Sequence, residues 1–421
     1  MTCLHDAAAR TAGAAHPVHP AHAAGAAHPA DASHAAHAAA LAALPGMTPV
    51  RLSKVLDGFQ PSTAWKALRA GAHPADPQRK FAPAARATDV REVGERYNRA
   101  GVKVLLPDHA GYPSMLVGDP GAPAVLFALG EPRVSEGRPR VAIVGTRSAT
   151  HYGRQVASDL ASELSAAGVA VVSGLARGID GAAHAGAVRG APDGSAPPIA
   201  VVGTGLDVIY PSSNKELWSE VAARGVVFSE SPLGTQPHPG VFPARNRIIA
   251  ALSDVVVVVE SHYGGGSLYT AEAAARRSIP VCAVPGSVHS RASEGSNGLL
   301  VDGCIPVRDA TDVLVAIELA RTGVGTAAGP PGASAIRAGA GRSASSQMVR
   351  PDAQKCGSPL DTSKAMDGRQ RVVWEAVDDT PTAFETILIR TDLSIAAAAE
   401  ACERLVEQGV LVSGAGWWSK K

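Results

Sequence analysis

The chain has 421 residues, enough for two or three domains with a sizeable core. Lys and Arg total 39 against 38 Asp and Glu, so the net charge of +1 excludes a globally basic protein, and any site for a polyanion must be a local patch. Five cysteines without C-x-x-C spacing argue against a zinc site or a disulfide framework and suit a reducing cytoplasm. The longest strongly apolar run, at 255–259, is too short to cross a bilayer, so we expect a cytoplasmic protein without a membrane anchor.

The first two segments of the chain lie before the main repeating pattern. Residues 1–40 are rich in Ala, His and Pro and lack the basic start and leucine-rich stretch of a signal peptide, so we expect a disordered tail or a wrongly assigned start. In residues 41–71, apolar positions recur at helical spacing around the stretch Leu-Pro-Gly-Met-Thr-Pro, which predicts two short helices joined by a glycine hairpin. This turn resembles the helix-hairpin-helix module that binds DNA phosphates, although plain packing explains it equally well.

Alternating strands and helices predict an α/β core over residues 90–320. The order indicates right-handed βαβ units and a doubly wound, mostly parallel, extended Rossmann-like sheet. Ligands of such sheets bind outside the carboxyl ends of the strands, where this sequence collects glycine, arginine and hydroxyl residues. The predicted strands are the apolar runs 141–144, 169–173, 199–202, 226–229, 255–260 and 280–284.

The first two predicted strands each end in a glycine turn that also carries an arginine. A helix that starts at such a turn directs free N–H groups and its positive dipole end at the bound group, and the arginines add full charge, so we expect a phosphate there. No G-x-G-x-x-G follows Gly145, which argues against the usual dinucleotide fingerprint. The residues of these two turns are Gly145, Thr146, Arg147, Ser173, Gly174 and Arg177.

Two later loops also suggest an anion site. Arg245 and Arg247 flank Asn246 just ahead of a predicted helix, an arrangement that we interpret as a fork-shaped anion clamp. Further on, a run of three glycines frees the backbone while Ser267 and Thr270 offer hydroxyls ahead of another predicted helix. That loop suits either a nucleotide phosphate or a strand of nucleic acid.

The end of the chain predicts a separate small domain. Residues 321–364 are rich in Gly, Ala, Ser and Pro without periodicity and indicate a flexible linker. Residues 365–421 predict a winged helix, with three short helices, the third capped by Ser394, and a hairpin wing over 410–418. The third helix carries three glutamates against one arginine, which favours contact with protein over contact with DNA.

Several motifs in a fixed order resemble the DprA/Smf family, the DNA-processing proteins of natural transformation. The resemblance runs from about residue 105 to residue 319 and implies a Rossmann-like domain that binds single-stranded DNA and protects it. It also implies loading of the recombinase RecA onto that DNA and a homodimer formed through this domain, with no enzymatic activity, cofactor or metal. The motifs are VAIVGTR at 141–147, SGLARGIDGAAH at 173–184, GTGLDVIYP at 203–211, FPARNRII at 242–249 and GSLYTA at 266–271.

Position by position, the resemblance implies a DNA pocket in which arginines and a lysine hold phosphates. No base-reading pattern is evident, so binding should be largely independent of sequence. Four aromatic residues lie near these loops and either stack bases or belong to the core: Tyr152, Tyr210, Phe242 and Tyr263. The implied pocket residues are Gly145, Thr146, Arg147, Ser173, Gly174, Arg177, Lys215, Arg245, Asn246, Arg247, Gly266, Ser267 and Thr270.

The main alternative is an enzyme of the same fold group, a nucleotide phosphoribohydrolase similar to the LOG proteins. In that interpretation Glu272, which follows the glycine-rich turn, would stabilise an oxocarbenium-like ribose or transfer a proton. The LOG-type Pro-Gly-Gly-x-Gly-Thr-x-x-Glu is absent, and no second carboxylate stands at a fixed spacing. Asp180, His184 and Asp207 are further candidates, but an aspartate before glycine and a histidine on a helix are more often structural.

Overall fold

A nine-stranded sheet forms the centre of the protein in the computed structural model, which describes residues 29–191, 193–322, 366–377, 382–414 and 417–420. The strand order is β1-β2-β6-β5-β4-β3-β7-β8-β9. Only β2 runs against the others, since it pairs antiparallel with both β1 and β6. The strands are β1 (Val102–Leu105), β2 (Leu126–Gly130), β3 (Arg140–Val144), β4 (Ala170–Ser173), β5 (Ile199–Val202), β6 (Val226–Ser229), β7 (Val255–Val258), β8 (Val281–Ala283) and β9 (Ile305–Pro306).

Helices cover both faces of this sheet. The central strands are therefore buried on both sides and are apolar apart from Arg140 at the start of β3 and Ser173 at the end of β4, which is why the sequence predicts them correctly. Side chains of Ala142 and Val144 enter the hydrophobic cluster on one face, and those of Val141 and Ile143 enter the cluster on the other. The helices are α1 (Pro29–Ala42), α2 (Pro49–Leu56), α3 (Pro61–Ala70), α4 (Ala82–Ala87), α5 (Val90–Arg99), α6 (His151–Ala166), α7 (Ile179–Gly190), α8 (Lys215–Arg224), α9 (Val241–Ala251), α10 (Leu268–Ala275), α11 (Glu294–Val301) and α12 (Ala310–Thr322).

The winding of the sheet defines where a ligand can enter. From β3 the chain proceeds outward through β4 and β5 to β6, and it then returns to place β7 on the other side of β3. The carboxyl ends of β3 and β7 therefore flank a topological switch point, the usual ligand crevice of doubly wound sheets.

The prediction for residues 1–40 is wrong where the structure describes them, because α1 starts at Pro29. Ala38, Ala39 and Leu41 are fully buried, so the alanine-rich stretch packs as a helix rather than forming a tail. Residues 1–28 lie outside the described part of the chain.

The predicted turn between two helices exists, but the first of these helices, α1, starts at Pro29 and lies mostly before the predicted range 41–71. The Leu-Pro-Gly-Met-Thr-Pro turn joins α1 to α2, and Gly46 has a φ of 78°, so it takes the left-handed conformation that the turn requires. Trp65 and Leu68 share one hydrophobic cluster with Phe127 of the sheet. The helices of this segment therefore pack against the sheet, and DNA contact at the turn stays a prediction.

The C-terminal segment has the elements that the winged-helix prediction requires. Its core is separate and includes Val373, Phe384 and Leu405, and Ser394 caps the third helix by accepting from the N–H of Ala397 at 3.2 Å. Asp392 pairs with Arg51 of α2 at 3.3 Å. The predicted linker lies outside the described residues, except that 321–322 belong to α12. The elements are α13 (Gly368–Ala376), β10 (Thr382–Ala383), α14 (Phe384–Thr391), α15 (Ile395–Glu407), β11 (Leu411–Gly414) and β12 (Trp417–Lys420), with sheet order β10-β12-β11.

Candidate functional site

A cavity of about 590 Å³ opens at the switch point between β3 and β7. A narrower recess adjoins it beneath Arg147 and is lined by Gly174, Arg177 and Thr204 among others. The two spaces share Arg147, Ala176, Tyr210 and Phe242, so they form one continuous site. Of the residues that the sequence predicts for the DNA pocket, those that line the larger cavity are Gly145, Thr146, Arg147, Arg245, Asn246, Gly266, Ser267 and Thr270.

Arg147 lies on an aromatic surface at the centre of this site. Its guanidinium carbon is 4.2 Å from the centroid of the Phe242 ring, and the Tyr210 ring lies 5.4 Å from Phe242, tilted by 38°. Arg147 is exposed and Tyr210 is 37% exposed. No carboxylate of the described residues lies within ion-pair distance of Arg147, and the buried Asp180, which lines the same cavity, interacts with its charge from farther away.

Arg177 and Lys215 add positive charge on the same side. Arg177 is exposed two residues before α7, and Lys215 is the exposed first residue of α8. The side chain of Asn214 donates to the carbonyls of Leu175 and Ala176 at 3.0 and 3.3 Å, which ties the start of α8 to the turn that carries Arg177. Lys215 lines neither space but lies next to them.

Arg245 does not form the predicted clamp, because its side chain is directed into the protein. It is 6% exposed, donates to the carbonyls of Gly174 and Val201, and pairs with Asp180 at 3.3 Å. Burial lowers the pKa of Arg245 to about 10, so it stays charged at neutral pH. A side chain on Gly174 would collide with this guanidinium, which explains the glycine.

Arg247 is also engaged, on a different side of the same helix. It pairs with Glu230 at 2.6 Å and donates to the carbonyl of Ala244 at 2.6 Å. The sequence places the arginines ahead of a helix, whereas α9 starts at Val241 and includes both of them. Residues two apart on a helix are separated by about 200°, so Arg245 and Arg247 cannot grip one anion together.

Carboxylates of the protein already occupy the helix ends that the sequence assigns to a phosphate. The buried Glu260, just after β7, accepts from the N–H of Thr150 at 2.9 Å and from its hydroxyl at 2.6 Å, at the start of α6. Burial raises the pKa of Asp180 of α7, and the Arg245 guanidinium opposes that change. The backbone N–H groups of Gly145 and Ala176 also act to lower the pKa of this buried carboxyl. Recognition of an external anion therefore falls to exposed cationic side chains.

The remaining predicted residues shape the site rather than offer free donors. The hydroxyl of Ser173 is buried and donates to the carbonyl of Ile143 at 2.7 Å. Asn246 donates to the carbonyl of Gly266 at 3.1 Å, and the hydroxyl of Ser267 donates to that of Ser261 at 2.9 Å. Thr270 lies in the first turn of α10, is almost fully buried and lines the larger cavity.

Sequence reasoning missed the role of Glu260 and considered Asp180 only as a catalytic candidate that was more often structural. Glu260 directly follows a run of buried valines, and Asp180 follows the second glycine turn, so a charged residue at the end of a buried strand was the available signal. That signal is ambiguous, because a carboxylate in such a position can serve a ligand or a helix end equally well.

Among the candidates for the enzymatic alternative, Glu272 and Asp207 have structural partners and His184 is buried. Glu272 pairs with Arg276 at 2.6 Å and lines neither space of the site. Asp207 accepts from Arg96 at 3.0 Å and from the N–H of Gly234 at 2.6 Å. His184 is fully buried, and burial lowers its pKa to about 4 while the backbone at Ser173 acts in the opposite direction. This geometry gives no support to a hydrolase.

The described residues offer neither a metal site nor a membrane span. No group of three or more His, Cys, Asp or Glu side chains in this part of the chain could hold a metal ion. Among the same residues, no helix has both the length and the apolar composition that crossing a membrane requires.

Comparison with known proteins identifies the family. The family model described as DNA recombination-mediator protein A matches residues 103–318, which is half of the chain. The chain belongs to that family. The match begins in β1 and ends in α12, so it contains the whole site described above.

Individual relatives of the DNA recombination-mediator protein A family agree with this assignment. Protein Smf of Synechocystis sp. is 38% identical over 226 residues, 53% of this chain and 56% of its own length. A relative from Mycobacterium tuberculosis is 45% identical over 194 residues, 46% of this chain and 49% of its own length. The chain thus spans about half the length of these curated relatives. The X-ray structure of DNA processing protein A from Streptococcus pneumoniae is 31% identical, with a TM-score of 0.58, and the match covers 67% of this chain and 97% of that one.

Proposed function

We propose that this protein binds single-stranded DNA at the carboxyl edge of the sheet, without regard to sequence, and delivers it to the recombinase RecA in the cytoplasm. Its family is described as a recombination mediator, and the solved relative is a DNA processing protein. Both descriptions fit a protein that acts on DNA before recombination.

The observation that carries the proposal is the Arg147–Phe242–Tyr210 stack inside a concave site. Non-specific binding of single strands combines cations for the phosphates with aromatic faces for the bases. Here the unpaired charge of Arg147 lies 4.2 Å from the centre of an aromatic ring, and the Tyr210 ring extends the apolar surface. An unpaired base can enter such a cavity, whereas a base within a duplex cannot reach it without leaving its stack.

The state of the polar side chains supports binding that ignores sequence. Reading a base requires free donors or acceptors aimed at its edge. The Ser267 hydroxyl donates its hydrogen within the protein, and one hydrogen of the Asn246 amide is used in the same way. The exposed cations contact phosphates, which are the same in every sequence.

The experiment is a fluorescence anisotropy titration of the full chain with a labelled oligothymidylate. Replacing Arg147 with alanine removes one charge-assisted contact and the support of the Phe242 ring, so we expect affinity to fall about tenfold to a hundredfold. Arg91→Ala is the matched control, since Arg91 is exposed on α5, lines neither space of the site and, among the described residues, forms an ion pair with Glu95 alone. Equal affinity of the Arg147 variant and the control would contradict the proposal.

The proposal includes a homodimer formed by the α/β core. Four large apolar side chains are exposed around the β9 edge of the sheet: Val301, Ile305, Val315 and Leu319. Val301 is the last residue of α11 and lies just before β9. Val315 and Leu319 lie one turn apart on α12, which packs on the opposite face of the sheet from α11. An apolar edge of this kind supports pairing between two copies.

Transfer to RecA is tested separately from DNA binding. Single-stranded DNA coated with a single-strand-binding protein is mixed with RecA, and filament growth is followed with and without this protein. We expect faster growth with the wild-type chain and no acceleration with the Arg147→Ala variant. An absence of acceleration by a wild-type chain that binds DNA would overturn the transfer step alone.

A further inference from the structure

A second cavity, of about 550 Å³, opens beside the larger one and is lined by His262, Tyr263, Arg291 and Glu294. His262 also lines the larger cavity, so the two are neighbours along the same edge of the sheet. The second cavity lies where β7 and β8 end, because the 261–267 turn follows β7 and Arg291 follows β8.

Tyr263 is presented on a turn whose backbone is firmly held. The N–H of Gly265 donates to the carbonyl of His262 at 2.9 Å, and the N–H of Gly295 donates to the carbonyl of Ser261 at 2.7 Å. Nδ1 of His262 lies 3.1 Å from the carbonyl oxygen of Arg291, which joins the two loops. The turn is therefore preorganised, yet Tyr263 itself is 78% exposed and adds little to the core.

An exposed aromatic side chain on a rigid turn is suited to stacking. An aromatic ring gains affinity for a nucleic-acid base whatever the base is, and a fixed turn avoids the entropy cost of ordering a loop on binding. Arg291 is exposed in the same cavity and forms no ion pair among the described residues, so it can receive a phosphate. Glu294 repels a phosphate on its own side of the cavity, which directs the backbone toward Arg291.

The order of the strands connects the two cavities into a path. The larger cavity lies over the ends of β3 and β7, and β8 is the next strand outward. Adjacent strands are about 4.8 Å apart, so a DNA strand that crosses the sheet edge moves from one cavity to the next within about one nucleotide.

Resting on the proposed binding of single-stranded DNA, we infer that the second cavity is an adjoining nucleotide subsite. Tyr263 stacks on the base next to the nucleotide held by Arg147. Arg291 binds either the phosphate that joins these two nucleotides or the phosphate on the far side of the nucleotide at Tyr263. The site thereby takes a strand of DNA in preference to a single nucleotide.

The test compares thymidine monophosphate with oligothymidylates of increasing length on the full chain. Tyr263→Ala should lower affinity for the longer oligonucleotides by about five- to twentyfold, the lower part of the range for loss of one stacked base. It should leave the monophosphate affinity unchanged, and Tyr263→Phe should bind like the wild type, because stacking needs the ring and not the hydroxyl. Glu294→Gln should tighten binding and Arg291→Gln should weaken it.

Controls separate the subsite from the main cavity. Val117→Ala is matched, since Val117 is 58% exposed and lies in neither cavity. Oligonucleotides with 5-iodouracil at single positions should crosslink to Tyr263 from the position beside the nucleotide in the main cavity. A Tyr263→Ala variant with wild-type affinity at every length, or with an equal loss for the monophosphate, would overturn the subsite alone. A wild-type chain that binds no oligonucleotide would overturn the proposed function as well.

Discussion

At the scale of single residues, Arg245 shows how one side chain can have a structural role at a position that resembles a ligand contact. Its guanidinium joins the ends of β4 and β5 to α7 through two carbonyls and the carboxylate of Asp180. The pair is buried on all sides, so removal of either partner leaves an uncompensated charge in a medium of low polarity.

Arg245→Ala is therefore expected to destabilise the fold rather than to weaken DNA binding selectively. Breaking a buried ion pair costs about 3–5 kcal/mol, and two carbonyls also lose their donor. Thermal and denaturant unfolding followed by circular dichroism measures this loss. Arg276→Ala removes an exposed pair with Glu272 and should cost less than about 1 kcal/mol. An Arg245→Ala variant as stable as this control would show that the buried pair is dispensable.

His184 predicts a dependence of stability on pH. Its pKa is lowered from 6.5 to about 4 in the folded chain, so the unfolded chain takes up the proton first as the pH falls. The stability present above pH 6.5 is thus lost progressively toward pH 4. Between about pH 7 and pH 5 we expect a loss of about 2 kcal/mol from this group. The measurement compares denaturant unfolding of the wild type and of His184→Leu; parallel pH profiles would contradict the assignment.

At the scale of the helix, the start of α6 is shaped around the Glu260 carboxylate. A side chain on Gly153, in the first turn of α6, would collide with that carboxylate, which accepts hydrogen bonds from Thr150. Gly153→Ala should therefore destabilise the protein, although alanine favours helices by about 1 kcal/mol over glycine.

The matched control for Gly153→Ala is another helical glycine. Gly298 lies in α11 with open space where a side chain would be, so Gly298→Ala should raise stability by about 0.5–1 kcal/mol. Opposite changes in melting temperature for the two variants are the expected result. A stabilising Gly153→Ala would mean that the carboxylate can move aside at little cost.

The same elements show what the sequence can and cannot predict. Buried valine runs such as β7 are unmistakable, because a strand covered on both faces tolerates only apolar residues. Three strands of the nine-stranded sheet were not predicted: β1 and β9, whose partly exposed residues carry no such pattern, and the internal antiparallel strand β2, whose first three residues are buried. The turn residues of the site were found as a group, but not the direction of each side chain. Arg147 is exposed whereas Arg245 is paired inside the protein, and this difference depends on the start of α9 and on a buried carboxylate far away in the sequence.

At the scale of the molecule, the N-terminal helices and the sheet form one hydrophobic core. Leu41, Trp65 and Leu68 pack in the same cluster as Phe127 and Val227. A core limited to residues 90–320, as the sequence suggests, would expose that face of the sheet to water.

A fragment of residues 29–322 should accordingly fold cooperatively, whereas one of residues 90–322 should aggregate or melt much earlier. Each large apolar side chain removed from the cluster costs about 1.5–3 kcal/mol of burial. Size-exclusion chromatography and thermal melting of the two fragments measure the difference. A well-folded 90–322 fragment would show that α1–α3 form an independent layer.

Arg245 and Arg247 are each paired with a carboxylate of the protein. This pairing also determines how strongly the proposed DNA binding depends on salt concentration. Four cations remain to displace the counterions that surround DNA: Arg147, Arg177, Lys215 and Arg291. Each neutralised phosphate of a single strand contributes about −0.7 to the slope of log affinity against log salt, so four cations give a slope of about −3. If binding pulled both arginines away from Asp180 and Glu230, the slope would steepen to about −4. A titration with potassium chloride thus reports whether the internal carboxylates keep their partners while DNA is bound, and the shallower slope means that the protein holds its strand over a wider range of ionic strength.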